Sequence, residues 1–127
     1  MLWNKTSDKP SSKQIGDKGE LIAKRYLLSQ GLEIVTQNFH CRFGEIDLIA
    51  KAADCYIFIE VKFRHQNQFG GAISAVSASK QEKIKKSARI YLQQQQLNEY
   101  NTACRFDVVA LEGDRNQPQI TWLTNAF

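Results

Sequence analysis

The stretch GEIDLIAKAADCYIFIEVKFR, Gly44 to Arg64, decides the fold. Two runs rich in apolar and β-branched residues, Gly44–Lys51 and Cys55–Arg64, flank the short break Ala52-Ala53-Asp54. That is the pattern of a tight β-hairpin. Side chains on a strand alternate between its two faces. In the second run Ile57, Ile59, Val61 and Phe63 fall on one side, and Tyr56, Phe58, Glu60, Lys62 and Arg64 on the other. The first side is wholly apolar and must lie on a core, as expected for a central strand. In the first run Glu45 and Asp47 share a face, opposite Ile46 and Leu48.

Register decides what the polar face can do. If the hairpin closes on Ala53 and Asp54, Ala52 pairs with Cys55. Asp47 then lies opposite Glu60, and Glu45 opposite Lys62. A four-residue loop keeps these partners, whereas a three-residue loop breaks them unless a bulge restores the pattern. Directly opposed side chains have Cβ atoms about 5 Å apart, and like charges there are destabilising. An Asp–Glu pair so placed calls for a cation or a shared proton. Hard divalent ions such as Mg²⁺ take oxygen ligands, often one or two carboxylates with waters and substrate phosphate. A lysine two residues from Glu60 on the same face, Lys62, can reach the same space and orient an attacking water. This combination is suited to metal-assisted phosphodiester hydrolysis, with Mg²⁺ or Mn²⁺ as cofactor. The competing reading is a solvated strand face with surface ion pairs. Against it stand the aromatic Tyr56 and Phe58 on the charged face and the juxtaposition of two acids.

Working outward, a helix is expected over about Ile15 to Gln30. Ile15, Gly19, Ile22, Ala23, Tyr26 and Leu27 form its apolar face, and Gly31 follows it. Leu32–Phe39 reads as a strand. His65–Ala78, with Gly70 and Gly71, reads as a loop. Ser79 and Glu82 match a capping box opening a second helix that runs to about Gln95. Ile84, Ala88, Tyr91 and Leu92 form its apolar face, with Lys83, Lys86 and Arg89 opposite. Arg105–Leu111 and Gln119–Leu123 complete the strands. The order α-β-β-β-α-β-β predicts an α/β fold: a central mixed sheet of about five strands flanked by helices. Residues 1–14 are expected as a flexible tail and 15–127 as one domain.

Composition agrees. The chain has 127 residues, 43% hydrophobic and 10% aromatic, with 17 basic and 13 acidic side chains for a formal charge of +4. That length suits one domain with its own core. No apolar run nears the roughly 20 residues of a membrane helix, and residues 1–18 lack a signal-peptide core. Collagen, coiled-coil, membrane and long disordered classes are excluded as expectations, and a cytoplasmic location follows. Cys41, Cys55 and Cys104 are an odd, widely spaced set, read as reduced, half-buried strand residues. His40 and His65 lack zinc-finger spacing. The basic balance favours a polyanionic partner only mildly.

Lys83, Lys85, Lys86 and Arg89 make a basic helical surface suited to phosphate contacts, which Arg42, Arg64 and His65 extend. A solvated helix side is the plainer alternative. Lys80, in the first turn and bordering the core face, reads first as a solvated lysine and alternatively as a contact to a phosphate near the metal. Glu20 sits at the margin of the first helix's apolar face, either turned inward or simply favourable near a helix N-terminus. Glu45 reads as the ion partner of Lys62 or as an outer acid around the centre. Asp107 reads as structural, and Trp3 and Trp122 carry no evident stacking role.

Asp47 followed thirteen positions later by Glu60-Val61-Lys62 resembles the PD-(D/E)xK nuclease motif, with Ile46 where that motif has proline. Gly19-Glu20, Ala23, Tyr26-Leu27, Gly31, Asn38, GEIDLIA at 44–50, FIEVKFR at 58–64, Phe69-Gly70, Ala75-Val76, Lys80, Arg105–Val109 and Asn125-Ala126-Phe127 together resemble the YraN-like family of bacterial proteins. That resemblance spans about Ile15 to Phe127. It implies a fold similar to restriction endonucleases and Holliday-junction resolvases. It also implies a Mg²⁺-dependent, DNA-directed endonuclease, acting on branched or otherwise structured DNA, with a homodimer by analogy. Asp47 and Glu60 would hold the metal with the Val61 carbonyl, and Lys62 would position the water. Glu20 matches the additional acid that resolvase-like members place near the metal. The alternative is a nucleic-acid-binding module of the same fold without catalysis, and a third is a protein-interaction adaptor.

Overall fold

The computed structural model describes residues 11–64 and 76–127. Seven elements follow one another: α1 (Ser12–Ser29), β1 (Glu33–Cys41), β2 (Gly44–Ala52), β3 (Cys55–Arg64), α2 (Ala78–Gln94), β4 (Ala103–Glu112) and β5 (Gln119–Leu123). The expected tail before residue 11, Trp3, His65 and most of the Gly70-Gly71 loop lie outside the described residues.

The sheet order is β1-β2-β3-β4-β5. Neighbours pair antiparallel except β3 and β4, which run parallel because α2 carries the chain across the sheet between them. The mixed α/β architecture is the one the element order predicts. β3, between β2 and β4, is central, and Ile57, Phe58 and Ile59 are fully buried.

The two helices cover opposite faces. Ala23 and Leu27 of α1 pack with Leu48, Ala50, Ile57, Ile59, Val109 and Leu111. Ile84, Ala88, Tyr91 and Leu92 of α2 pack with Ile46, Ile49 and Phe58. Phe58, Phe106 and Phe127 stack in sequence at 5.5 and 5.4 Å between ring centroids, so the C-terminal residue closes the α2-side core.

Boundaries shift where capping signals compete. α1 starts at Ser12, three residues before the expected start, because Ser11 and Gln14 form a reciprocal capping box. Its end is as expected. Gly31 has φ +93°, and Gly31 and Leu32 donate back to the Leu28 and Leu27 carbonyls, a Schellman closure. α2 is capped by Ser77, whose hydroxyl accepts from the Lys80 N–H, rather than by the Ser79–Glu82 box. Glu82 lies instead near Lys85, at 3.9 Å. β1 runs on to Cys41 and β4 spans Ala103–Glu112.

The hairpin closes on Ala53 and Asp54, with pairs from Ala52↔Cys55 to Leu48↔Ile59. One expected face assignment fails. Ile46 belongs to the α2-side core while Leu48 belongs to the α1-side core, so strict alternation is broken at Asp47. The partner strand shows a matching irregularity: Asn38 adopts φ +53°, and Phe39, opposite Ile46, also packs on the α2 side. Asparagine tolerates that left-handed backbone better than most residues.

Candidate functional site

The break in alternation builds the site. Beyond Leu48↔Ile59 the Asp47 carboxylate replaces a main-chain partner: its Oδ2 accepts the Val61 N–H at 2.8 Å. This pins Asp47 beside Glu60, the residue before Val61. The two acids are close enough to interact, although the expected Asp47–Glu60 register pair is not part of the ladder, which stops at Leu48↔Ile59. Glu60 is only 4% exposed, and two ammonium groups approach its Oε2: Lys62 Nζ at 3.4 Å and Lys80 Nζ at 3.6 Å. Lys62 stands two residues along the same strand face. Lys80 arrives from the first turn of α2 on the other side of the chain crossover. The centre thus lies in the C-terminal half of β3, past the point where its pairing with β2 stops.

The electrostatics follow from this packing. Burial pushes the Asp47 carboxyl up, and the adjacent Glu60 charge adds to it. The Val61 N–H opposes, and Glu20 adds a smaller push; together they raise Asp47 to about 8. Two carboxylates so close in a partly dry site resist holding two negative charges. Burial also raises the Glu20 carboxyl, with Asp17, Glu45 and Glu60 contributing repulsion and a hydrogen bond with Asn38 opposing. Glu20 is therefore within electrostatic reach of the pair but hydrogen-bonded elsewhere. Among the described residues, no three His, Cys, Asp or Glu side chains converge on one point to hold a metal ion. The donor set Asp47 and Glu60 still suits a hard dication of the Mg²⁺ type, which keeps several waters and needs only one or two carboxylates.

Other expected site residues separate. Glu45 pairs with His40 (Oε2 to Nδ1, 3.2 Å) rather than with Lys62, because the break at Asp47 turns it away from the centre toward its β1 neighbour. Lys83 and Lys86 are exposed on α2 as expected. Arg89 is exposed too, but Glu99 holds its Nε at 2.7 Å. Arg64 is half-buried, and its Nε is enclosed without a hydrogen-bond partner among the described residues. Asp107 is structural: fully buried, it accepts from Arg105, from Trp122 Nε1 at 2.9 Å and from the Asn125 N–H at 2.8 Å. The three cysteines are free and partly buried on strands. No described helix is long and apolar enough to cross a membrane. The sequence reading missed Ser87, buried on α2, which donates to the Lys83 carbonyl and accepts from Cys41 Sγ. A serine amid lysines gives no such signal on a wheel.

Fold and site together define a small mixed-sheet α/β domain with a paired-carboxylate centre flanked by two lysines. The chain belongs to the uncharacterised protein family UPF0102, whose pattern matches residues 19–111. Glu20, Asp47, Glu60, Lys62 and Lys80 all fall inside that match. It is similar to a UPF0102 protein of Colwellia psychrerythraea, 59% identical over 129 aligned positions covering both chains entirely. A UPF0102 protein of Aeromonas hydrophila is 47% identical over 93% of this chain and 88% of its own. One of Photobacterium profundum is 45% identical over 92% of each chain.

Proposed function

We propose that this protein is a Mg²⁺- or Mn²⁺-dependent endonuclease that hydrolyses phosphodiester bonds in DNA, with branched or otherwise structured DNA as its substrate class. The observation that carries the reading is the Asp47–Glu60 pair: two neighbouring carboxylates, one with its pKa raised to about 8, beside two ammonium groups. Asp47 and Glu60, with the Val61 carbonyl, would hold the metal. When bound, such an ion lowers the pKa of its water and offsets charge developing on the phosphate.

The protein's own groups do the rest. Asp47 would have to give up its proton to serve as a ligand, so metal loading would strengthen as pH rises toward 8. Lys62, 3.4 Å from Glu60 Oε2 on the same strand face, would orient the attacking water. Lys80, on the far side of Glu60, meets the phosphate and draws the scissile group to the acids. Glu20, within electrostatic reach of the pair, would serve as the additional acid near the metal. Lys83 and Lys86 supply sequence-independent contacts to the backbone. The setting fits a cytoplasmic protein, and a homodimer fits substrates with two-fold symmetry.

The test is a cleavage screen over duplex, flap, four-way junction and single-stranded DNA with Mg²⁺, Mn²⁺ or chelator. Metal-dependent cutting that disappears in Asp47→Ala and Lys62→Ala supports the reading. Cutting at the wild-type rate by both variants overturns it.

A further inference from the structure

The turn between β1 and β2 consists of Arg42 and Phe43, since Cys41 pairs with Gly44. It leans on α2: a Cβ built on Gly44 would sit 3.9 Å from that of Lys83. Phe43 is half-buried, yet its ring is bracketed by cations, with the Arg42 guanidinium carbon at 4.8 Å and Lys86 Nζ at 5.6 Å from its centre. Beside the ring opens a cavity of about 290 Å³ lined by Phe43, Lys86, Arg89, Ile90 and Gln93. That volume falls just short of drug-sized sites of roughly 300–1,000 Å³ and has room for one flat ring system. The floor is an aromatic ring and an isoleucine, and the rim is cationic. Glu99 neutralises Arg89 and Glu82 faces Lys85, whereas Arg42, Lys83 and Lys86 have no acidic partner among the described ion pairs.

Position adds a direction. Lys80, Lys83 and Lys86 follow one another at three-residue spacing on α2, a row about 9 Å long from first to last. One end touches Glu60 and the other the Phe43 ring. A flat apolar floor reached by a row of positive charges matches a polyanion that carries π-faces.

We propose that Phe43 is a stacking platform for an unpaired base of a single-stranded DNA segment, whose phosphates run along Lys86 and Lys83 toward Lys80. This rests on the nucleic-acid reading of the acid pair and narrows its substrate to DNA with an unpaired stretch beside the cut. Arg42, exposed on the same turn, now lies over the ring at 4.8 Å from its centre; the base displaces it, and the guanidinium then covers the base's outer face. Stacking on aromatic rings tolerates any base, so the platform selects strandedness rather than sequence.

The test measures binding in chelator, where cleavage cannot intervene. Fluorescence anisotropy compares a labelled oligothymidine of about twenty nucleotides with a blunt duplex, using the full chain and its Phe43→Leu and Phe43→Trp variants. F43L should weaken single-strand binding by at least about fivefold, the loss expected for one stacked base. F43L should leave duplex binding within about twofold, and F43W should restore the single-strand affinity. As a second readout, the added Trp emission of F43W over wild type should be quenched by the oligothymidine. Unchanged single-strand binding by F43L, equal loss on both DNAs, or no quenching overturns the platform while leaving the acid pair's role intact. A wild-type chain that binds neither DNA overturns the nucleic-acid reading and the platform with it.

Discussion

The Asp47 carboxylate accepts the Val61 N–H at 2.8 Å, taking the place of a main-chain partner where the β2–β3 ladder stops. One hydrogen bond thereby does two things. It satisfies a central-strand donor that would otherwise be left unpaired. It also fixes one acid against the next, Glu60, in a site too dry for two full negative charges.

The raised pKa makes stability depend on pH. In the folded chain Asp47 keeps its proton up to about 8, whereas an ordinary aspartate loses it near 3.8. Between these values the folded state binds more protons than the unfolded state. Stability from this group is full below about 4, falls as pH rises, and is gone above about 8. The metal-free protein should therefore melt at a lower temperature at pH 8 than at pH 5. Asp47→Asn, which still accepts from Val61, should flatten that slope and raise the pH 8 midpoint by ~3–6 °C per kcal/mol recovered. Scanning calorimetry across pH checks this, and an unchanged slope in the variant refutes it.

Mg²⁺ should oppose that loss. A ligand that binds only the folded state raises its apparent stability. At pH 8 the ion should raise the wild-type midpoint progressively with concentration. The gain should shrink at pH 6, where Asp47 holds its proton, and vanish in Glu60→Gln. Thermal melts over a Mg²⁺ series decide the matter.

The two lysines at Glu60 should separate by function. Lys62→Ala should slow DNA cleavage by about 10²-fold or more, the range for loss of a group that handles a proton or positions the water, with DNA affinity little changed. Lys80→Ala should lower affinity and reduce the slope of log K against log salt by about 1, as for one lost phosphate contact. Cleavage at saturation, read beside a salt titration of binding, distinguishes them. Equal behaviour of the two variants contradicts the division of labour.

Asp107 should matter for stability alone. It is fully buried and takes hydrogen bonds from Arg105, Trp122 and Asn125, tying β4 to β5 and to the C-terminal turn. Asp107→Ala strands those donors and should cost about 3–5 kcal/mol. Urea unfolding measures it. A loss below 1 kcal/mol would mean the network relaxes freely.

The hairpin turn offers a gain. Ala53 holds φ +53°, a left-handed backbone that costs an L-residue roughly 1–2 kcal/mol and glycine almost nothing. Ala53→Gly should stabilise the chain by about 1 kcal/mol even after glycine's extra unfolded-state entropy. A lower urea midpoint for the variant would contradict this.

Much of the architecture could be read from residues near one another in the chain. Period-two alternation in Cys55–Arg64, the two-residue break at Ala53-Asp54 and the apolar faces of both helices each reflect local periodicity. They placed β3 at the centre. Gly31 announced the end of α1 for the same reason: one residue's backbone freedom is written in its identity. Helix starts were less legible, because several serines near each N-terminus could cap. Ser77 caps the second helix in place of Ser79, and Ser11 opens α1 three residues before the expected start.

What tertiary structure decided concerns residues distant in sequence. The interrupted alternation at Asp47 is accompanied by a left-handed residue, Asn38, on the neighbouring strand, and no pattern inside β2 reports it. Glu45 found His40 and Lys80 found Glu60 because the sheet and the α2 crossover brought them together, at 3.2 and 3.6 Å. Local propensity specifies which way a side chain points along its own element. Which charge it meets is set only when packed layers exclude water and leave a buried group few partners to choose from.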